Sequence, residues 1–190
     1  MAADRALSGE KRLGIGVVGL GWVTHEHIKG WLKDKRCQIV ALSSHSRENA
    51  LSFQRKYGLD GARIYTDWED LMLDERVDVV DVCSMNHLHV PQGIAAAEAG
   101  KHVLLEKPAA IHLEGLRRLV AAVEKAGVKS MVAFVLRWSP YFESVREMIA
   151  ALETGEKSDD YDTFALRSDA LRDADAARAQ ELDAARRQFR

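Results

Sequence analysis

The sequence has few of the residues that mark several common classes of protein. Its 27 lysine and arginine residues are balanced by 29 aspartate and glutamate residues, so the net charge is only −2. No basic excess therefore points to nucleic acid, and no basic amphipathic segment points to a membrane surface. Only two cysteines are present, Cys37 and Cys83, which is too few for a disulfide framework. Cys83 falls within an apolar run, so we expect a buried free thiol.

A signal peptide is the next class that the sequence argues against. The apolar residues 13–23 follow Lys11 and Arg12 and superficially resemble the core of such a peptide. Four glycines interrupt the run, and no small-residue cleavage site follows it. We therefore interpret the run as part of the fold and expect a cytoplasmic protein.

Short apolar runs alternate with segments of helical periodicity along most of the chain. Hydrophobic residues make up 47% of the 190 residues, which is enough for one sizeable core. Strands are predicted at residues 13–19, 38–42, 77–83, 103–105 and 131–136, with helices of about 10–15 residues between them. This alternation is typical of βαβ units, whose right-handed crossovers place helices on both faces of a parallel sheet. The predicted fold class is therefore α/β with a doubly wound parallel sheet.

The composition changes after about residue 154. Residues 169–190 are rich in Ala, Arg and Asp and contain few large apolar side chains. We predict one domain over residues 1–155 and a polar tail over residues 156–190, either a solvated helix or disordered. One strand could form at residues 161–166. The composition of the tail therefore does not indicate a folded second domain.

A turn with two glycines follows the first predicted strand. Gly19 would allow the tight turn, and Gly21 would let the backbone approach a pyrophosphate at the start of the next helix. Trp22 and Val23 open that helix and join the candidate cofactor-binding residues. The third position of the dinucleotide fingerprint is Thr24 instead of glycine, so a purely structural turn remains an alternative.

The second predicted strand lacks the carboxylate that normally binds a ribose about 20 residues after the turn. Ser44 and His45 stand there instead, followed by Arg47, and these groups could receive a 2′-phosphate. The alternative is a helix cap at Ser46 beside a solvated arginine. The cofactor is therefore NADP or NAD, with a slight preference for NADP.

Two more strand ends carry candidate site residues. Asn86 follows the strand at 77–83, and His89 begins the next helix. The strand at 103–105 ends in Glu106, Lys107 and Pro108, which fixes a lysine at the edge where open α/β sheets bind ligands. No metal site is predicted, because no cysteine or carboxylate near the histidines in sequence completes a ligand set.

These motifs together resemble the N-terminal half of the Gfo/Idh/MocA oxidoreductase family over about residues 13–155. The matching stretches are Gly19–Gly21, Asn86–His89, Gly100–Pro108 and Arg137–Pro140. The resemblance implies a Rossmann-type fold, a nicotinamide cofactor and hydride transfer at a hydroxyl-bearing carbon. It implies that Lys107 is the catalytic residue beside the nicotinamide. It also implies that Glu106 and Arg137 lie near the same cleft.

The chain also departs from the family pattern. Met85 replaces a proline, Ser44 takes the usual acidic position, and the family's second domain does not follow. We therefore expect a truncated member, in which residues 156–190 are a remnant of, or a replacement for, that second domain. Its substrate is expected to be a small sugar-like or polyol-like molecule, and no nucleic acid or membrane partner is expected. A homo-oligomer is left open. A non-catalytic NAD(P)-binding module and an inactive fragment are the alternatives.

Overall fold

The computed structural model describes residues 12–154, in which six strands form one parallel sheet. The strands are β1 (Leu13–Val18), β2 (Cys37–Ser43), β3 (Arg63–Tyr65), β4 (Val79–Val82), β5 (His102–Leu105) and β6 (Ser130–Val132). Their order across the sheet is β3-β2-β1-β4-β5-β6, and every neighbouring pair is parallel. This is the doubly wound α/β architecture that the alternation of apolar runs predicts.

Six helices connect or follow these strands. They are α1 (Thr24–Lys33), α2 (Arg47–Tyr57), α3 (Trp68–Met72), α4 (His89–Glu98), α5 (Leu113–Ala126) and α6 (Pro140–Thr154), with short 3-10 helices at Asn86–Leu88 and Val135–Trp138. The predicted caps of the second helix are confirmed, since the Ser46 side chain accepts a hydrogen bond from the Asn49 amide and Gly58 ends the helix. Asp67 caps α3 in the same way, through the amide of Glu69.

Two apolar layers cover the two faces of the sheet. On one face, Ile28 of α1 and Phe53 of α2 pack with Ile15 and Val17 of β1. On the other face, the apolar side chains of β4 and β5 pack against α3, α4 and α5. The strand order reverses between β1 and β4, and the carboxyl edge at such a reversal is the usual ligand position in sheets of this kind.

The observed elements differ from the predicted ones at several places. β3 was not predicted, because it is only three residues long and lies at the edge, where an apolar run is not needed. The strand predicted at residues 131–136 ends at Val132, and a 3-10 helix follows at Val135–Trp138. The first helix begins at Thr24, two residues later than expected.

The described residues divide into two compact units, one ending at residue 134 and the other beginning at residue 135. The sheet belongs to the first unit, and α6 belongs to the second. The predicted domain boundary at residue 155 stays a prediction. The strand expected at residues 161–166 and the polar tail lie outside the described residues.

Two expectations from composition can be compared with the structure. Cys83 is a buried free thiol, as predicted, and Cys37 is a half-buried free thiol. Among residues 12–154, no helix combines the length and the apolar character that a membrane crossing requires.

Candidate functional site

The turn between β1 and α1 lies directly against the end of β4. Gly19 has φ +84°, a conformation that side-chain-bearing residues rarely adopt. A Cβ added there would lie 2.6 Å from the Cα of Ser84, so the two backbones approach too closely for a side chain. The fold therefore requires glycine at position 19, whether or not a ligand binds.

Gly21 lies in a different environment. A Cβ added at Gly21 would meet no atom within 4 Å. The helix that follows has Val23 at its N-cap, and no side chain caps it. The amides of His25 and Glu26 donate to the carbonyls of Trp22 and Val23, so the amide groups before them, next to Gly21, are the ones that suit this end of the helix to an anion. Trp22 stands beside this opening with 86% of its surface exposed.

Thr24 holds this turn together, which sequence reasoning missed. Its hydroxyl donates a hydrogen bond to the Gly19 carbonyl at 2.7 Å and accepts one from the Gly21 amide at 3.2 Å. The residue is completely buried. A threonine in place of the third fingerprint glycine was the signal, because its hydroxyl can satisfy backbone groups at the start of a helix.

The end of β2 carries the predicted ribose-binding residues. Ser44 is half-buried, and its hydroxyl oxygen accepts hydrogen bonds from the Ser46 amide at 3.4 Å and from the Asn49 side chain at 3.3 Å. Asn49 also donates to the carbonyl of Leu20 at 2.9 Å, which joins this strand end to the glycine turn. His45 and Arg47 are exposed.

The loops after β4 and β5 are joined by His89. This imidazole is completely buried, with its ring nitrogens 2.8 Å from the Pro108 carbonyl oxygen and 3.0 Å from that of Ser84. Asn86 lies in the first of these loops and is exposed. His89 therefore aligns the two loops that carry Asn86 and Lys107, and its predicted contact with a cofactor stays a prediction.

Lys107 stands exposed at the carboxyl edge of the sheet, two residues beyond β5. The Lys107–Pro108 peptide bond is cis. The Lys107 amide donates to the carboxylate of Glu106 at 2.9 Å. Glu106 itself is buried. Lys107 is therefore the exposed member of the pair, and the predicted contacts of Glu106 and Lys107 with a cofactor stay predictions.

A buried polar cluster beneath this edge was not foreseen. Nδ1 of His27 lies 3.0 Å from each carboxylate oxygen of Asp81, and its Nε2 lies 3.1 Å from Oε1 of Glu106. The indole of Trp31 donates to Asp81 at 2.7 Å. An aspartate within an apolar central strand was the available signal, because a buried charge needs a partner.

The surroundings of His27 favour its charged form. Burial alone would lower the pKa of His27, but the hydrogen bonds and charges of Asp81 and Glu106 outweigh burial and raise the pKa to about 9. Burial raises the pKa of the neighbouring Cys83 thiol far above its ordinary value, and the charge of Asp81 adds to this effect. The cluster is therefore an imidazolium between two carboxylates, beside a neutral thiol.

The fold also brings together a set of metal-type ligand atoms. His27, Asp81 and Cys83 offer three such atoms within 4.8 Å of one another. Sequence reasoning had found no cysteine or carboxylate near His27, since these partners lie more than fifty residues away in the chain. Within the described residues, every buried polar side-chain atom already has a hydrogen-bond partner. The absence of a metal site stays a prediction.

The fourth predicted stretch lies in the second unit. Arg137 belongs to the 3-10 helix Val135–Trp138. Its expected place near the cofactor stays a prediction.

Comparison with known proteins places the first unit in a family. The sequence model of an oxidoreductase family with an NAD-binding Rossmann fold, GFO_IDH_MocA, matches residues 13–134. The inositol 2-dehydrogenase of Paracoccus denitrificans is 37% identical over 142 residues, which are 73% of this chain and 41% of that protein.

Solved structures show the same relationship. The NAD binding oxidoreductase from Klebsiella pneumoniae matches with a TM-score of 0.66 and 36% identity, over 73% of this chain and 38% of that one. The WlbA dehydrogenase from Bordetella pertussis, in complex with NADH and UDP-GlcNAcA, matches with a TM-score of 0.70 and 27% identity, over 78% of this chain and 42% of that one. The chain thus spans about two fifths of the length of its relatives. By the match to more than half of its sequence, it belongs to the Gfo/Idh/MocA oxidoreductase family, in the part that forms the NAD-binding Rossmann fold.

Proposed function

We propose that this chain binds NAD(P) across the carboxyl edge of its sheet and forms the cofactor-binding part of an oxidoreductase. The proposed reaction transfers a hydride between the nicotinamide and a hydroxyl-bearing carbon of a sugar-like or polyol-like substrate. One observation carries the proposal: the open space at Gly21 adjoins a helix N-terminus that no side chain caps. Relatives with inositol or NADH in their names support the same assignment.

Residues at different strand ends of this chain would bind different parts of the cofactor. The amide groups at the start of α1 would bind the pyrophosphate, and the absence of a side chain at Gly21 would let it approach. The exposed amide of Asn86 would orient the cofactor by hydrogen bonds. When bound, the nicotinamide supplies the site that accepts or releases the hydride. Arg137 remains a proposed contributor to the same site.

Lys107 is the proposed catalytic residue. Its ammonium group stands at the exposed end of β5, where it would donate a hydrogen bond to the substrate hydroxyl oxygen or exchange a proton with it. Its backbone is fixed through Glu106, whereas its side chain extends into solvent. A mobile ammonium on a fixed backbone can follow a substrate oxygen as its charge develops.

We further propose a preference for NADP over NAD. Ser44 stands where a carboxylate would repel a 2′-phosphate, and the exposed His45 and Arg47 could donate charge-assisted hydrogen bonds to it. Replacing Ser44 by aspartate should shift the ratio of affinities toward NAD(H). An unchanged ratio would show that this region serves only as a helix cap. The cytoplasmic location stays a prediction.

A non-catalytic NAD(P)-binding module is the second candidate. It is favoured by the exposed position of Lys107, which leaves the proposed catalytic group open to water. A complete reaction site needs groups on both sides of the substrate. Activity that appears only on mixing with another polypeptide would identify the chain as a subunit that a partner completes.

Titration calorimetry with NADPH and NADH tests the binding proposal. We expect Gly21→Val to weaken binding by at least about tenfold, equivalent to 1.4 kcal/mol, because the new side chain would occupy the space of the pyrophosphate. Gly30→Val is the matched control, since Gly30 lies within α1, away from the turn that contains Gly21, and a Cβ there also meets no atom within 4 Å. Equal affinities for the wild type and Gly21→Val, or no binding by the wild type, would overturn the proposal.

A further inference from the structure

The buried cluster around His27 connects three separate elements. His27 comes from α1, Asp81 from β4, and Glu106 follows β5. A neutral imidazole carries only one N–H, so it cannot donate to both carboxylates at once. An imidazolium carries two and satisfies both. The geometry of the ring therefore fits the charged form, in which each ring nitrogen donates to one of the two ionised carboxylates.

Glu106 is held at three points. Its backbone amide donates to the carbonyl of Val82 at 2.9 Å, which fixes it to β4. One carboxylate oxygen lies 3.1 Å from Nε2 of His27, and the other accepts from the Lys107 amide at 2.9 Å. The only residue of this chain of contacts that reaches the exposed sheet edge is Lys107. A change in the position of the His27 ring would therefore reach the Lys107 backbone through the Glu106 side chain.

We propose that His27 is a positioning residue for Lys107: held by Asp81, it orients the Glu106 carboxylate so that this group fixes the Lys107 backbone at the sheet edge. The role of Asp81 is to keep the ring oriented, with Trp31 holding the second oxygen of Asp81. This inference rests on the proposed function, in which Lys107 meets the substrate.

The charged and titratable groups around the ring are few. β4 contributes Asp81, the residue after β4 contributes the thiol of Cys83, and the residue after β5 contributes Glu106. On α1 itself, Glu26 and Lys29 form an exposed pair of their own at 2.7 Å. A proton lost from His27 therefore acts first on the two carboxylates, and through Glu106 on the Lys107 amide.

An NMR titration of the ¹⁵N-labelled 190-residue chain tests this inference without any substitution. We expect both ring nitrogens of His27 to be protonated at pH 7. We expect the Lys107 amide shift to change with the same midpoint as the ring, near pH 9. An unprotonated ring nitrogen at pH 7, or a Lys107 amide that does not follow the ring, would overturn the inference.

Variants separate positioning from general stability. In His27→Gln the titration step of the Lys107 amide should disappear, and its hydrogen exchange should accelerate by at least about tenfold. His25→Gln is the matched control, because His25 lies in the same helix but its ring lies against the Tyr57 hydroxyl and Phe53, away from the cluster of Asp81 and Glu106. The His25→Gln variant should keep the pH-dependent change of the Lys107 amide shift. Loss of this change in His25→Gln would contradict the inference.

A second variant covers the case in which His27→Gln does not fold. Trp31→Phe removes the indole donor from Asp81 and keeps an aromatic ring against the core, so the midpoint of His27 should rise and the midpoint of the Lys107 amide should rise with it. A shift of the ring alone would contradict the inference. Adding NADPH to the same samples tests whether the cofactor binds at the turn that contains Gly21. If the midpoints of His27 and the Lys107 amide agree but NADPH does not bind, only the proposed function is contradicted. If NADPH binds but the two midpoints differ, only the positioning role is contradicted.

Discussion

At the residue scale, His27 makes a prediction about stability as well as position. The pKa of a histidine in the unfolded chain is about 6.5, and the folded environment raises the pKa of His27 to about 9. A raised pKa stabilises the fold fully below pH 6.5, and this contribution is lost as the pH rises through 9. The amount is on the order of 3 kcal/mol for a shift of this size.

Urea unfolding at pH 6 and pH 10 measures this contribution. The free energy of unfolding of the wild type should fall between these values, whereas His27→Gln should be less stable at pH 6 and should lack most of the fall. His25→Gln should keep the wild-type fall between pH 6 and pH 10, whatever stability it loses with its contacts to Tyr57 and Phe53. A wild-type stability that does not change between pH 6 and pH 10 would show that His27 is neutral in the folded chain.

At the element scale, the β1–α1 turn separates a glycine required for folding from one kept for a ligand. Gly19→Ala places a Cβ 2.6 Å from the Ser84 backbone at positive φ, so we expect a loss of roughly 1–3 kcal/mol in the free energy of unfolding. Gly21→Ala meets open space and should change it by less than about 0.5 kcal/mol. Urea unfolding followed by circular dichroism compares the two. Equal losses would show that both glycines serve the fold alone.

The strands and helices differ in how well the sequence predicts them. Strands with continuous apolar runs and helices with local caps, such as Ser46 before α2, were predictable because their signals lie within a few residues. β3 was missed because an edge strand of three residues carries too little apolar pattern. Thr24 and Asn49 were missed because their partners, the Gly19 and Leu20 carbonyls, become neighbours only when the turn closes.

The candidate site was predictable to a similar extent. Lys107 and Asn86 could be placed at strand ends from the apolar runs before them. The link from His27 to Asp81 and Glu106 could not, because it joins residues 54 and 79 positions apart through packing across the sheet. A buried carboxylate in an apolar strand shows that a partner must exist, but it does not show which residue the fold brings to it.

At the scale of the whole molecule, the share of its relatives that this chain covers leads to a prediction about activity. Hydride transfer needs the donor and acceptor held in close geometry with water excluded. Lys107 is exposed to solvent, and the chain matches only 38–42% of the length of related structures. We predict that the purified 190-residue chain binds cofactor but shows no turnover on a panel of sugars and polyols. NAD(P)H production that disappears in Lys107→Ala would contradict this.

The most direct test of the central claim is a co-crystal structure of the 190-residue chain with NADPH. The account predicts pyrophosphate oxygens within hydrogen-bond distance of the first amide groups of α1, in the space beside Gly21. It also predicts the nicotinamide at the end of β5 beside Lys107. A pyrophosphate bound away from this turn, or no cofactor bound at saturating concentration, would contradict it.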